Sequence, residues 1–102
     1  MEEIMKKAET YLLHTYNRYP VVLDYGKGVY LYDTNGKKYL DFGSGIGVCA
    51  LGYGDEELNE AIKAQVDKLL HTSNLFYHKP LAEAVEKLAG ITKMDRIFMT
   101  NS

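Results

Sequence analysis

The sequence predicts an α+β fold, ordered as an N-terminal helix, a three-stranded antiparallel meander, two further helices and a final strand. Three observations carry that expectation. Apolar residues change from helical spacing to strand-like alternation after Pro20, and return to helical spacing after Asp55. Asn35-Gly36 stands between two β-rich runs, which is a hairpin signal. Leu58, Ala61, Ile62, Val66, Leu69 and Leu70 then follow the three-four-seven spacing of a single helical face.

The elements follow in order. From Glu2 to about Thr15, Ile4, Met5, Ala8, Tyr11 and Leu12 are separated by helix-forming charges, giving an amphipathic helix that ends before Pro20. VVLDYG, VYLYD and KYLDF, beginning at Val21, read as three strands. The first two are parted by Gly26-Lys27-Gly28, a turn too short and wrongly placed for a phosphate loop, which must lead into a helix. Asn35-Gly36 suits a type I′ turn, because both of its central residues need positive φ. Asp55 is placed to cap a helix from Glu56 to about Leu70, whose acidic start complements the helix dipole. Pro80 opens a third helix through about Ala89, stopped by Gly90 and burying Leu81, Ala84, Val85 and Leu88. Arg96-Ile97-Phe98-Met99-Thr100 reads as a buried strand.

Composition narrows the functions. The chain has 102 residues, 25% of them charged, and a net charge of −2 with both signs interleaved, so no basic stripe suits nucleic acid and no polybasic run suits a membrane surface. Its single cysteine, Cys49, excludes an internal disulfide and a multi-cysteine zinc site and fits a reducing, cytoplasmic setting. No window approaches the roughly 18 apolar residues of a spanning helix. His14, His71 and His78 show no metal-ligand spacing, and no metal is expected.

Gly43 to Asp55 carries five glycines around Ile46, Val48 and Leu51. Glycine suits backbone that bends or approaches a ligand closely, while apolar residues are unusual in a flexible linker, so the stretch either lines a pocket or joins two units. Most of the nine tyrosines fall on predicted strands and read as structural; Tyr16, Tyr19 and Tyr77 fall on loops, with hydroxyls available to a ligand. At the end of the sequence, strand followed by Thr100-Asn101-Ser102 is the setting in which an α/β protein begins an anion-binding turn.

Taken together, the runs from Tyr16 to Gly54, from Leu58 to Ala89 and from Met94 to Ser102 resemble the N-terminal part of class III aminotransferases, which depend on pyridoxal 5′-phosphate. Within that class, Ser44–Val48 and Ser73–Tyr77 are most similar to members that act on N-acetylornithine. The resemblance implies a parent of the type I pyridoxal-phosphate transferase fold. Residues 1–54 would contribute to its small domain and residues 55–102 would begin its large cofactor-binding domain. It implies substrate contact for Tyr16, Ser44, Gly45, Ile46 and Gly47, a phosphate contact for Ser102, and a loop near the active site and dimer interface for Asn74, Phe76 and Tyr77. One departure is visible: relatives commonly place a histidine where this chain has Asp55, so any role of that histidine is lost.

In relatives the Asn-Ser pair is followed by glycine, threonine or similar residues that complete the phosphate cradle. The resemblance therefore implies an interrupted chain. The catalytic lysine lies downstream in such enzymes, so none of the ten lysines here is expected to serve. The expected parent is a cytoplasmic homodimer transferring an amino group from N-acetylornithine to 2-oxoglutarate in arginine biosynthesis; the chain alone is expected to be inactive and to bind no cofactor. Ornithine, succinylornithine and 4-aminobutyrate remain alternative donors. A second reading is a freestanding non-catalytic α+β module that self-associates through a sheet edge.

Overall fold

The middle of the chain is organised by one carboxylate. Asp33, at the end of the second strand, is 3% exposed and is the one buried residue among those described. Its Oδ1 accepts the backbone N–H groups of Asn35 and Lys37, each at 2.9 Å, and its Oδ2 accepts the Tyr39 hydroxyl at 2.8 Å. Burial pushes the Asp33 carboxyl up, but the Tyr39 hydroxyl, the two amides and the Lys37 charge together outweigh it and hold the group below its ordinary value.

That carboxylate also decides the turn. Of residues 34–36 only Gly36 has positive φ, at 80°. The Gly36 amide donates to the Asp33 carbonyl at 2.9 Å, and the Asp33 amide donates to the Lys37 carbonyl at 3.0 Å. The connection is thus a three-residue loop closed by a left-handed glycine, not the expected type I′ turn. With its side chain bonded two and four residues ahead, Asp33 supplies a local alternative to the two-residue turn.

The computed structural model describes residues 1–101. In chain order its elements are α1 (Glu2–Tyr11), β1 (Leu23–Lys27), β2 (Tyr30–Asp33), β3 (Lys38–Leu40), α2 (Glu56–Lys68) and α3 (Lys79–Thr92). The strands form one antiparallel sheet in the order β1-β2-β3, the expected meander. Register pairs Tyr25 with Tyr32 and Tyr32 with Lys38, and slips between Leu23 and Tyr25. The paired Tyr25 and Tyr32 rings stack 4.5 Å apart, the kind of cross-strand pair that fixes register.

Three further expectations need correction. Gly90 does not stop α3, which continues to Thr92; the left-handed residue at its end is Lys93, φ 60°, whose amide donates to the Ala89 carbonyl at 2.9 Å. A glycine inside a helix costs only about 1 kcal/mol relative to alanine, too little to end it. Residues 96–100 form no strand among the described residues, whose sheet is β1-β2-β3; a strand exists through its ladder, and apolar composition alone does not make one. Finally, the apolar faces of α2 and α3 are not buried.

Among the described residues no hydrophobic side chain is buried. Leu58, Ile62 and Val66 on α2, and Leu69 just after it, remain between 40% and 52% exposed, so each forgoes roughly 1 kcal/mol of the burial a packed face supplies. The chain divides into two compact units, Met1–Ala64 and the residues from Gln65 onward. Its accessible surface is 9628 Å². A folded globule of this mass exposes roughly 5,800 Å², and two separate globules in the proportion of the units roughly 7,000 Å². That surface includes Phe42, Leu75 and Phe98, each 87% exposed or more.

Candidate functional site

The first unit holds the loop that the glycines of the sequence announce. Residues 44–47 have φ of 48°, 58°, 63° and 85° in succession, and two of them, Ser44 and Ile46, are not glycine. Positive φ costs roughly 1–2 kcal/mol for such a residue, and for β-branched Ile46 it is a true outlier. Conformations of this kind persist where the surroundings over-determine them.

The surroundings do so from both ends. Just after β3, Asp41 Oδ1 accepts the Gly43 amide at 2.8 Å and the Ser44 amide at 3.1 Å, and its Oδ2 accepts the Tyr53 hydroxyl at 2.6 Å. The Tyr53 hydroxyl, with the Gly43 and Ser44 amides behind it, holds the Asp41 carboxyl below its ordinary value. Asp41 in turn pushes the Tyr53 phenol up to about 12, with burial adding to it. One carboxylate therefore ties the entry of the loop to its exit.

Tyr53 is itself tightly placed. Its backbone exchanges two hydrogen bonds with Gly28, both 2.8 Å. Its ring occupies the space beside Gly26, where an added Cβ would lie 2.4 Å from the Tyr53 Cγ. A Cβ on Gly52, φ 77°, would lie 2.6 Å from the Gly28 carbonyl oxygen. Gly26 and Gly52 are thus glycine for close approach, and Gly52 for its backbone conformation as well.

Of the expected substrate residues, Tyr16 and Ile46 come together. Both line a concavity of about 790 Å³ with Arg18, Leu23, Leu31 and Asp41. Tyr16 lies in the segment between α1 and β1, with the Arg18 guanidinium 6.0 Å from its ring. Ile46 is 99% exposed, an isoleucine presented rather than packed. Ser44, Gly45 and Gly47 share the loop but not the lining of that concavity.

Asn74, Phe76 and Tyr77 belong to the second unit, in the segment between α2 and α3. Phe76 is 68% exposed and Tyr77 fully so. The segment turns at Ser73, φ 64°, whose hydroxyl accepts the Leu75 amide at 3.2 Å. Thr72 and His78, hydrogen-bonded to each other, line a smaller hollow of about 230 Å³ with Gln65 and Leu81; the expected loop residues stay outside it. Ser102 lies outside the described residues. Asp55 caps α2 as expected, accepting the Leu58 amide at 2.8 Å.

Three important residues escape a reading of the sequence. Asp41 carries a faint signal, an aspartate two and three residues before Gly43-Ser44, the spacing of a side chain that captures the amides ahead of it. Asp33 carries the same kind of signal before Asn35-Gly36. Tyr53 carries none, because its partners lie 12 and 25 residues away.

The fit to pyridoxal phosphate is a matter of donor chemistry. The concavity at Tyr16 and Ile46 is lined by one cation, Arg18, and by no lysine, so these residues do not by themselves form a site for an aldehyde cofactor and its phosphate. No helix among the described residues is long and apolar enough to cross a membrane.

The aminotransferase class-III family model matches residues 11–102. Among similar proteins, the acetylornithine aminotransferase of Archaeoglobus fulgidus is 44% identical over 98 residues, 96% of this chain and 26% of that protein. That of Aquifex aeolicus is 50% identical over 94 residues, 91% of this chain and 25% of that protein. Among solved structures, acetylornithine aminotransferase from Elizabethkingia anophelis superposes with a TM-score of 0.86 at 36% identity, over 93% of this chain and 25% of that one. Ornithine delta-aminotransferase of Plasmodium falciparum gives 0.93 at 31% identity, over 99% and 26%. The chain spans about a quarter of the length of these relatives. With nearly all of its residues matched, and the meander and glycine loop within that match, the chain belongs to the class-III aminotransferase family.

Proposed function

We propose that this chain serves as the N-terminal quarter of an acetylornithine aminotransferase, an enzyme that moves an amino group from N-acetylornithine to 2-oxoglutarate using pyridoxal 5′-phosphate. The observation that carries the reading is the family match over residues 11–102 together with acetylornithine aminotransferase relatives at 44% and 50% identity. The cofactor supplies the electron sink of the reaction, and the protein supplies binding, orientation and electrostatics. In this reading Tyr16 and the Ser44–Gly47 loop face the substrate. Tyr16, Arg18 and Asp41 give the concavity polar groups, and Leu23, Leu31 and Ile46 apolar ones, a lining suited to an amphiphilic amino acid.

The chemistry itself is assigned elsewhere. The lysine that bonds the cofactor is not among the ten here, Ser102 touches the phosphate, and Asn74, Phe76 and Tyr77 approach the active site near a homodimer interface. Residues 1–54 fall in the smaller domain and residues 55–102 open the larger one, in a cytoplasmic enzyme. A freestanding module is the weaker reading, because such a module needs its own core and no described hydrophobic side chain is buried. The full-length enzyme, offered N-acetylornithine, ornithine, succinylornithine and 4-aminobutyrate with 2-oxoglutarate, is expected to form glutamate fastest from N-acetylornithine. A higher kcat/KM for any of the other three would overturn the substrate assignment.

A further inference from the structure

We infer that Asp41 and Tyr53 are positioning residues: their hydrogen bond closes the Gly43–Gly52 segment that contains Ser44–Gly47 and holds Ile46 in its strained, presented conformation against the amino donor. The part of this inference that concerns the donor rests on the function proposed above; the part that concerns the clasp does not.

A loop with four consecutive positive-φ residues, two of them not glycine, relaxes unless something opposes it. Beyond Asp41, the Ile46 amide donates to the Gly43 carbonyl and the Cys49 amide to the Ser44 carbonyl, each at 2.8 Å, the Gly52 amide donates to the Cys49 carbonyl at 2.9 Å, and the Cys49 side chain meets the Tyr53 hydroxyl. Asp41 is the group that reaches both ends, with Oδ1 on the entering amides and Oδ2 on the Tyr53 hydroxyl. Tyr53 can act as the fixed post because its backbone is bridged to Gly28 and its ring fills the space beside Gly26. The sheet thus sets the post, the post sets the carboxylate, and the carboxylate sets the loop. Tyr53 is outside the lining of the concavity at Tyr16 and Ile46, and Asp41, which is part of the lining, acts here through the loop. Release of the clasp lets Ile46 leave the concavity it shares with Tyr16, which weakens the donor's fit without removing any group that takes part in the reaction.

The test uses the full-length enzyme with Tyr53→Phe, which removes only the hydroxyl and keeps the ring beside Gly26. Hydrogen exchange at the Gly43 and Ser44 amides is expected to quicken about ten-fold, the effect of losing a hydrogen bond to a charged group. KM for the donor is expected to rise about ten-fold with kcat held within about two-fold, the pattern of lost binding rather than lost chemistry. Asp41→Asn, which keeps an oxygen for the two amides, is expected to exchange more slowly there than Asp41→Ala, and Tyr25→Phe is expected to match wild type. Unchanged exchange in Tyr53→Phe would overturn the clasp. Faster exchange with KM unmoved, or with kcat falling instead, would overturn its role in holding the donor. If the wild-type enzyme does not transaminate N-acetylornithine, the proposed function falls, and the exchange measurement still decides the clasp.

Discussion

Gly52 and Gly54 offer a controlled comparison, because their backbones differ by one degree of φ, 77° against 76°, while their surroundings differ completely. Alanine at either position incurs the left-handed penalty, roughly 1 kcal/mol. At Gly54 the added Cβ meets no atom within 4 Å and the penalty ends there. At Gly52 it lies 2.6 Å from the Gly28 carbonyl oxygen and 3.1 Å from the Gly28 carbonyl carbon. Gly28 cannot retreat without stretching the two 2.8 Å bonds it exchanges with Tyr53. Weakening both adds roughly 1–3 kcal/mol, so Gly52→Ala should cost about 2–4 kcal/mol locally. Native-state hydrogen exchange at the Gly28 and Tyr53 amides of the full-length enzyme reads this directly. Protection should fall about five-fold in Gly54→Ala and about 30-fold or more in Gly52→Ala. Losses within a factor of about three of each other would show that the close approach of Gly52 to Gly28 does not constrain the chain.

Other consequences can be measured on the same enzyme. In an ultraviolet titration of the tyrosines, Tyr39 should also ionise late because of its bond to Asp33, and the component near 12, that of Tyr53, should vanish in Tyr53→Phe. A raised pKa stabilises the neutral form, so the Tyr53 contribution is complete below its ordinary 10.0 and is lost as pH climbs through about 12. Asp33 and Asp41 have lowered values, so their contributions are complete above the ordinary 3.8 and disappear as pH falls through the lower folded values. Exchange at the Asn35 and Lys37 amides should therefore quicken on acidification below about pH 4, and Asp33→Ala should abolish that dependence. On α3, Lys93→Gly relieves a left-handed residue and Gly90→Ala removes a helix-interior glycine; each should slow exchange near Thr92 by a stabilisation of about 0.5–1 kcal/mol.

The sequence was most legible where structure is local. The meander could be read because period-two alternation and turn residues act over a few positions, and Asp55 because a cap reaches only to Leu58. The hairpin was found but its turn was mistaken, since the Asn35-Gly36 signal says nothing of the Asp33 side chain bonded across it. The apolar faces of α2 and α3 were identified as faces, but periodicity alone does not say whether this chain supplies their partner. A strand at residues 96–100 was expected from composition, yet pairing, not composition, makes a strand. At the candidate site, the glycine stretch and Tyr16 stood out from the residues themselves, and their substrate roles, with that of Ile46, came from motif resemblance. The bond that organises that loop joins residues 12 apart through a side chain, and no periodic or turn signal reports it.

The most direct test of the whole account is borohydride trapping with the 102-residue chain and pyridoxal phosphate, set beside the full-length enzyme. The account predicts one reduced cofactor per full-length subunit, on a lysine outside residues 1–102, and none bound stoichiometrically to the short chain. Stoichiometric trapping at a single lysine within residues 1–102 would contradict it.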